Sequence, residues 1–218
     1  MKKTDSQLQR DVMDELEWEP SVDHADVGVA VYEGVVTLSG YVKSYPQKMA
    51  AEKATRRVEG VKAIAEEIKV RFASQPKTAD HEIAKRIIDM FSWSSSIPED
   101  TINVKVEHGW VTLTGSVNWN YQSIEARNAA GRVTGVTGVS NFVEIKKLPL
   151  ASDIKTRIVS AFERQADLDA KSVTVATSGK TVTLGGRVKA WNERGIAERA
   201  AWAAPGVNRV EDNIVVAF

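Results

Sequence analysis

The chain contains no cysteine. Disulfide frameworks, thiolate metal sites and cysteine nucleophiles are therefore excluded, while either the cytoplasm or an oxidising compartment stays compatible. Histidine is nearly as scarce. His24, His81 and His108 fall at unrelated positions, and no HExxH-type spacing joins them. They read as surface residues, and no metal site is expected. No GxxxxGK[ST] or GxGxxG loop stands between a strand and a helix, so no nucleotide cofactor is expected either. No apolar run is long enough to cross a bilayer. After Met1-Lys2-Lys3 the chain turns polar, from Thr4 to Asp11, where a leader would carry its apolar stretch. On this reading the protein is cytoplasmic, or periplasmic if a native leader has been removed. Net charge is also missing, with 29 basic against 29 acidic side chains, which argues against a nucleic-acid partner.

What the sequence has is repetition. Val36-Thr37-Leu38-Ser39-Gly40 returns as Val111-Thr112-Leu113-Thr114-Gly115 and as Val182-Thr183-Leu184-Gly185-Gly186, at offsets of 75 and then 71 positions. Gly60-Val61, Gly135-Val136 and Gly206-Val207 repeat with the same two offsets. Two separate motifs in one register define three modules, at 1–73, 78–147 and 150–218.

Each module opens with an amphipathic helix. Leu8, Val12, Met13 and Leu16 match Ile83, Ile87, Ile88 and Phe91, then Ile154, Ile158, Val159 and Phe162, at the spacing of one helix face. Thr4, Asp80 and Ser152 are the cap-type residues before it. Alternating apolar residues follow on both sides of a glycine turn at Gly34, Gly109 and Gly179, a hairpin pattern. A second helix near 46–59, 121–134 and 192–204 has a small inner face, Ala51 and Ala54 in the first copy. A glycine stops it, and a last alternating strand closes the module. The expected class is α+β: three tandem α-β-β-α-β modules, each a three-stranded mixed sheet with two helices on one face. The opposite sheet face is free to pack on a neighbouring module. The linkers Ala73-Ser74-Gln75-Pro76-Lys77 and Lys147-Leu148-Pro149-Leu150 each hold one proline, which favours a defined arrangement of modules.

Gly34-Val35-Val36-Thr37-Leu38-Ser39-Gly40 with Gly60-Val61 resembles the BON domain, named after bacterial OsmY and nodulation proteins. The likeness spans nearly the whole chain, and its glycine motif is Gly34, Gly40 and Gly60, then Gly109, Gly115 and Gly135, then Gly179, Gly186 and Gly206. The resemblance implies the fold above and a non-catalytic role at phospholipid surfaces, tied to osmotic or envelope stress. A protein-interaction or chaperone-like scaffold is one alternative. A potassium or small-ligand sensor is another, since one relative senses potassium.

Positions that differ between copies are the candidates for binding. Trp18 and Trp93 are equivalent and read as core. Trp110 reads as a strand-face residue. The loop entering the second helix carries Tyr45 beside Lys43 and Lys48, then Trp119 and Tyr121, then Trp191 flanked by Arg187, Lys189 and Arg194. Aromatic side chains beside basic ones suit contact with an anionic phospholipid surface or a protein partner. They equally suit burial between modules, and that reading is favoured for them. Formal charge is −2 over residues 1–73, 0 over 74–147 and +2 over 148–218, which favours the third module for facing anionic headgroups, with a head-to-tail contact between the charged ends as the competing explanation.

Overall fold

The computed structural model describes residues 3–72, 79–146, 153–165 and 169–216. The two proline-bearing linkers and the cap candidate Ser152 lie outside these residues. The first module runs α1 (Asp5–Trp18), a single 3-10 turn (His24–Asp26), β1 (Val27–Tyr32), β2 (Val35–Val42), α2 (Tyr45–Arg57) and β3 (Ala63–Val70). The second runs α3 (Asp80–Ser92), β4 (Ile102–Glu107), β5 (Trp110–Val117), α4 (Asn120–Gly131) and β6 (Gly138–Ile145). The third runs α5 (Ile154–Glu163), β7 (Val173–Ser178), β8 (Thr181–Val188), α6 (Trp191–Trp202), β9 (Arg209–Asp212) and β10 (Val215–Val216).

Each module is the α+β unit expected. Its central strand pairs antiparallel with the strand before it and parallel with the strand after α2, α4 or α6. The third module differs in one respect: its last strand is broken at Asn213–Ile214, and both pieces pair with β8. Alternation puts Val36, Leu38 and Val42 of β2 on the helix side, where Leu8, Val12 and Leu16 of α1 and Ala51 and Ala54 of α2 cover them. Burying one such Val or Leu contributes about 1.5–3 kcal/mol against leaving it exposed. The equivalent residues build two further separate cores.

The hairpin turns show why glycine sits where it does. Glu33-Gly34 and His108-Gly109 both have positive φ at both central residues, the geometry of a type I′ turn. In the third module only Gly179 is positive, and the turn is of the II′ kind with Lys180 second. That accounts for Gly179 standing one place earlier in the repeat than Gly34 and Gly109, whose counterpart in the third module is Lys180. Asp80 does not cap its helix, whose N-cap is Ala79. It reaches the hairpin instead and accepts from His108 N at 2.8 Å and Gly109 N at 2.9 Å, as Asp5 does from Glu33 and Gly34. These donors hold the Asp80 carboxyl below the usual range. Gly40, Gly115 and Gly186 have φ above 100°, and a Cβ there would fall 2.0–2.1 Å from the carbonyl oxygen of Asp26, Thr101 or Ser172.

Among the described residues the modules meet through their second helices rather than through their open sheet faces. α2 packs on α6, and the first residues of α2 reach α4. The open face of each sheet keeps its aromatic residues in solvent: Tyr32 and Tyr41 in the first module, Trp110 and Phe142 in the second.

Candidate functional site

The second helices start alike in all three modules. A side chain in the first turn folds back and accepts from the backbone ahead of it: Gln47 from Lys43 N, Gln122 from Asn118 N and Trp119 N, Glu193 from Lys189 N. This fixes the loop, and with it the direction of the first helical residue. In the first and third modules that residue is aromatic. Tyr45 packs against the core of the second module, and its ring atoms stand 2.9 Å from where a Cβ on Gly131 would be. Only glycine admits the ring at that distance. Burial pushes the Tyr45 phenol above its ordinary pKa, against the opposing influence of Arg127. A cleft of about 170 Å³ beside it is lined by Pro46, Met49, Arg127 and Arg132 among others.

Trp191 makes the corresponding move in the other direction. It packs against the core of the first module, with the Arg56 guanidinium 5.5 Å from its ring centre and its own Arg194 5.6 Å away. Such contacts contribute about 0.5–1 kcal/mol each near the surface. Arg194 is held by Asp212 at 2.6 Å. The same two positions carry Lys48–Glu66 at 3.2 Å in the first module and Asn141 donating to Ser123 at 2.8 Å in the second. The last-strand member of each pair, Glu66, Asn141 or Asp212, also accepts from the backbone N–H two residues on, at Ile68, Val143 and Ile214. Tyr45 and Trp191 thus belong to the junctions between modules, while Arg194 is bound within its own module, to Asp212 and beside Trp191.

The remaining candidates are placed apart from these. Tyr121 is exposed at 57% and Trp119 is half-buried, flanking Asn120, which stands where the other modules have Tyr45 and Trp191. Arg187 and Lys189 are exposed at the end of β8. The structure thus keeps Arg194 beside Trp191 and covers Tyr45 and Trp191 by other modules, while Tyr121, Arg187 and Lys189 stay exposed.

Two tryptophans expected in the core lie in solvent. Trp18 and Trp93 are 84% and 89% exposed, not core. The helix geometry already implied it: Trp18 lies two residues beyond buried Leu16, about 200° round the axis. Phe142, exposed on β6, carried no sequence signal beyond its own type. Among the described residues no three acidic or histidine side chains come together as a metal site. Nor is any helix among them long and apolar enough to cross a membrane.

The BON domain model matches residues 4–71, 79–147 and 151–217. The chain belongs to the BON domain family. It is 32% identical over 139 residues to the osmotically-inducible protein Y of Escherichia coli (strain K12), an alignment covering 57% of this chain and 67% of that one. Among solved structures it is similar to CdsD, a structural protein of the type III secretion system of Chlamydia trachomatis. That match has 15% identity and a TM-score of 0.25, covering 94% of this chain and 90% of the other. The C-terminal domain of CdsD matches with 14% identity and a TM-score of 0.26, covering 99% and 100%.

Proposed function

We propose that this BON protein is a non-catalytic binder of phospholipid surfaces, linked to osmotic or envelope stress. The stress link is supported by the relative named for osmotic induction. The surface-binding reading is carried by one observation: Trp18 and Trp93 stand at equivalent helix ends, 84% and 89% exposed. An indole ring left in water has no packing reason to be there, and its apolar body with a polar N–H suits the headgroup layer. Tyr121 adds a third exposed ring, and Arg187 and Lys189 add positive charge. The helix bearing Trp18 is acidic, with Glu15, Glu17 and Glu19 nearby. Attraction to anionic lipid therefore comes from the third module, at ~1 kcal/mol per basic residue near the surface.

The test is flotation with phosphatidylcholine vesicles and with vesicles containing phosphatidylglycerol, at low and moderate salt. Wild-type protein floats with the anionic vesicles and is partly released by salt. Brominated lipids quench its tryptophan emission. A folded Trp18→Ala/Trp93→Ala/Tyr121→Ala variant that floats as well as wild type removes this contact assignment. Absence of flotation with either vesicle removes the lipid reading.

A further inference from the structure

The open face of the second sheet is built unlike the other two. Trp110 on β5 lies over β6, opposite Gly138 in the register. A Cβ on Gly138 would fall 2.4 Å from the indole ring, so the ring rests directly on the strand backbone. Its Nε1 donates to Ser140 Oγ at 2.9 Å, which fixes the ring in its plane. The indole is thus held flat on the sheet with its outer face in water, 49% exposed. Phe142, 65% exposed, projects from the same face four residues beyond Gly138, about 13 Å along the strand. Thr112 and Ser140 supply hydroxyls between the rings, and Thr114 supplies one beside Phe142. Lys105 and Glu107 on the edge strand of this face pair with each other at 3.0 Å. The other modules have Val35 with Ala63 and Glu67, and Thr181 with Arg209 and Asn213, at these places. The tryptophan and the glycine that accommodates it therefore occur together, in one copy only.

We infer that this face binds a neutral glycan chain. Two separated rings, one of them pre-positioned, suit ligands with flat apolar faces repeated along a chain. The hydroxyls between them suit a ligand rich in hydroxyl groups. Lys105 is the one basic residue the strands place on this face, and it is neutralised by Glu107, while Glu144, the next outward residue of β6 after Phe142, is exposed. A nucleic acid or an acidic headgroup would call for unpaired basic residues here, and an uncharged chain needs none. The inference is independent of the lipid reading, which uses other residues.

The experiment is calorimetric titration of the whole chain with cellohexaose, chitohexaose and maltohexaose, with polygalacturonate as an anionic comparison. At least one neutral hexasaccharide binds, and more tightly than polygalacturonate. Trp110→Ala and Phe142→Ala each weaken that binding by about tenfold, the change expected from losing one aromatic stacking contact. Gly138→Val keeps the indole but lifts it off the strand, and weakens binding comparably. Each variant's circular dichroism and melting are compared with wild type, and the Phe142 change, at an exposed position, serves if either other variant is unstable. No binding of any neutral hexasaccharide overturns the inference, as does unchanged binding by the folded Phe142→Ala variant. Loss of vesicle flotation in Trp110→Ala/Phe142→Ala, without any glycan binding, would assign the face to lipid instead.

Discussion

Tyr45 and Trp191 hold the same position in their modules, and Asn120 holds it in the second. The two aromatic side chains each leave their own module and pack on another one, whereas the second module displaces its rings to Trp119 and Tyr121 on either side. One place along a helix thus separates a residue that joins modules from residues that flank the joint. The difference teaches that aromatic content at a helix entrance does not by itself mark a ligand site. The direction imposed by the Gln47, Gln122 and Glu193 locks decides what each ring meets.

The strongest way to break this comparison is Trp191→Ala. It removes a large half-buried ring from the first module's core boundary and leaves Arg56 without its ring. The loss should be ~2–3 kcal/mol, below the cost of emptying a fully buried tryptophan site. Urea unfolding followed by circular dichroism measures it, and small-angle scattering should show a larger radius of gyration as the first and third modules separate. An unchanged scattering profile with an unchanged midpoint would show that Trp191 does not join them.

Gly131→Val tests the other junction from the opposite side. Elsewhere, replacing a helical glycine removes backbone entropy from the unfolded chain and stabilises. Here the new Cβ would meet the Tyr45 ring at 2.9 Å, so the substitution should instead cost about 1–2 kcal/mol. Making the same change in Tyr45→Ala, where the ring is gone, should remove most of that cost. A penalty that persists in the double variant would place its origin within α4 itself.

Much of this was legible in the residues. The two glycine motifs fixed the module register, and the inner faces of the first helices and central strands followed from period alone. The junctions were not legible as pairs. Periodicity reports which side of an element is covered by its own module, and Tyr45 and Trp191 are covered by a different one. Trp18 and Trp93 differ from expectation for another reason: equivalence between copies does not imply burial, and their angular positions point away from Leu8, Val12 and Leu16 in α1 and from Ile83, Ile87 and Phe91 in α3. The flat seat of Trp110 needed the register, since Gly138 is opposite it only once β5 and β6 are paired.

Alkaline titration sharpens the comparison at smaller cost. Burial raises the Tyr45 phenol, so the folded state favours its neutral form. Stability from that preference is complete below the ordinary tyrosine value and is lost as pH rises through the raised folded value. The junction between the first and second modules should therefore loosen as pH rises above about 10, the ordinary tyrosine value. Tyr45→Phe should abolish this component of the alkaline loss, whereas Tyr121→Phe, at an exposed site, should leave it in place. Scattering and urea midpoints between neutral and alkaline pH distinguish the two.

The smallest effect on stability is expected where the rings are most exposed. Trp18→Ala and Trp93→Ala should each change the unfolding free energy by no more than about 0.5 kcal/mol, as surface substitutions away from packing features do. The contrast with Trp191→Ala is the point of the experiment: the same chemical change at three tryptophans, with the junction residue alone carrying stability. If Trp18 and Trp93 are contact residues, their loss should appear in vesicle flotation and not in the urea curve. A large stability loss at either would mean that the ring packs on something in solution, and the surface reading would lose its main support.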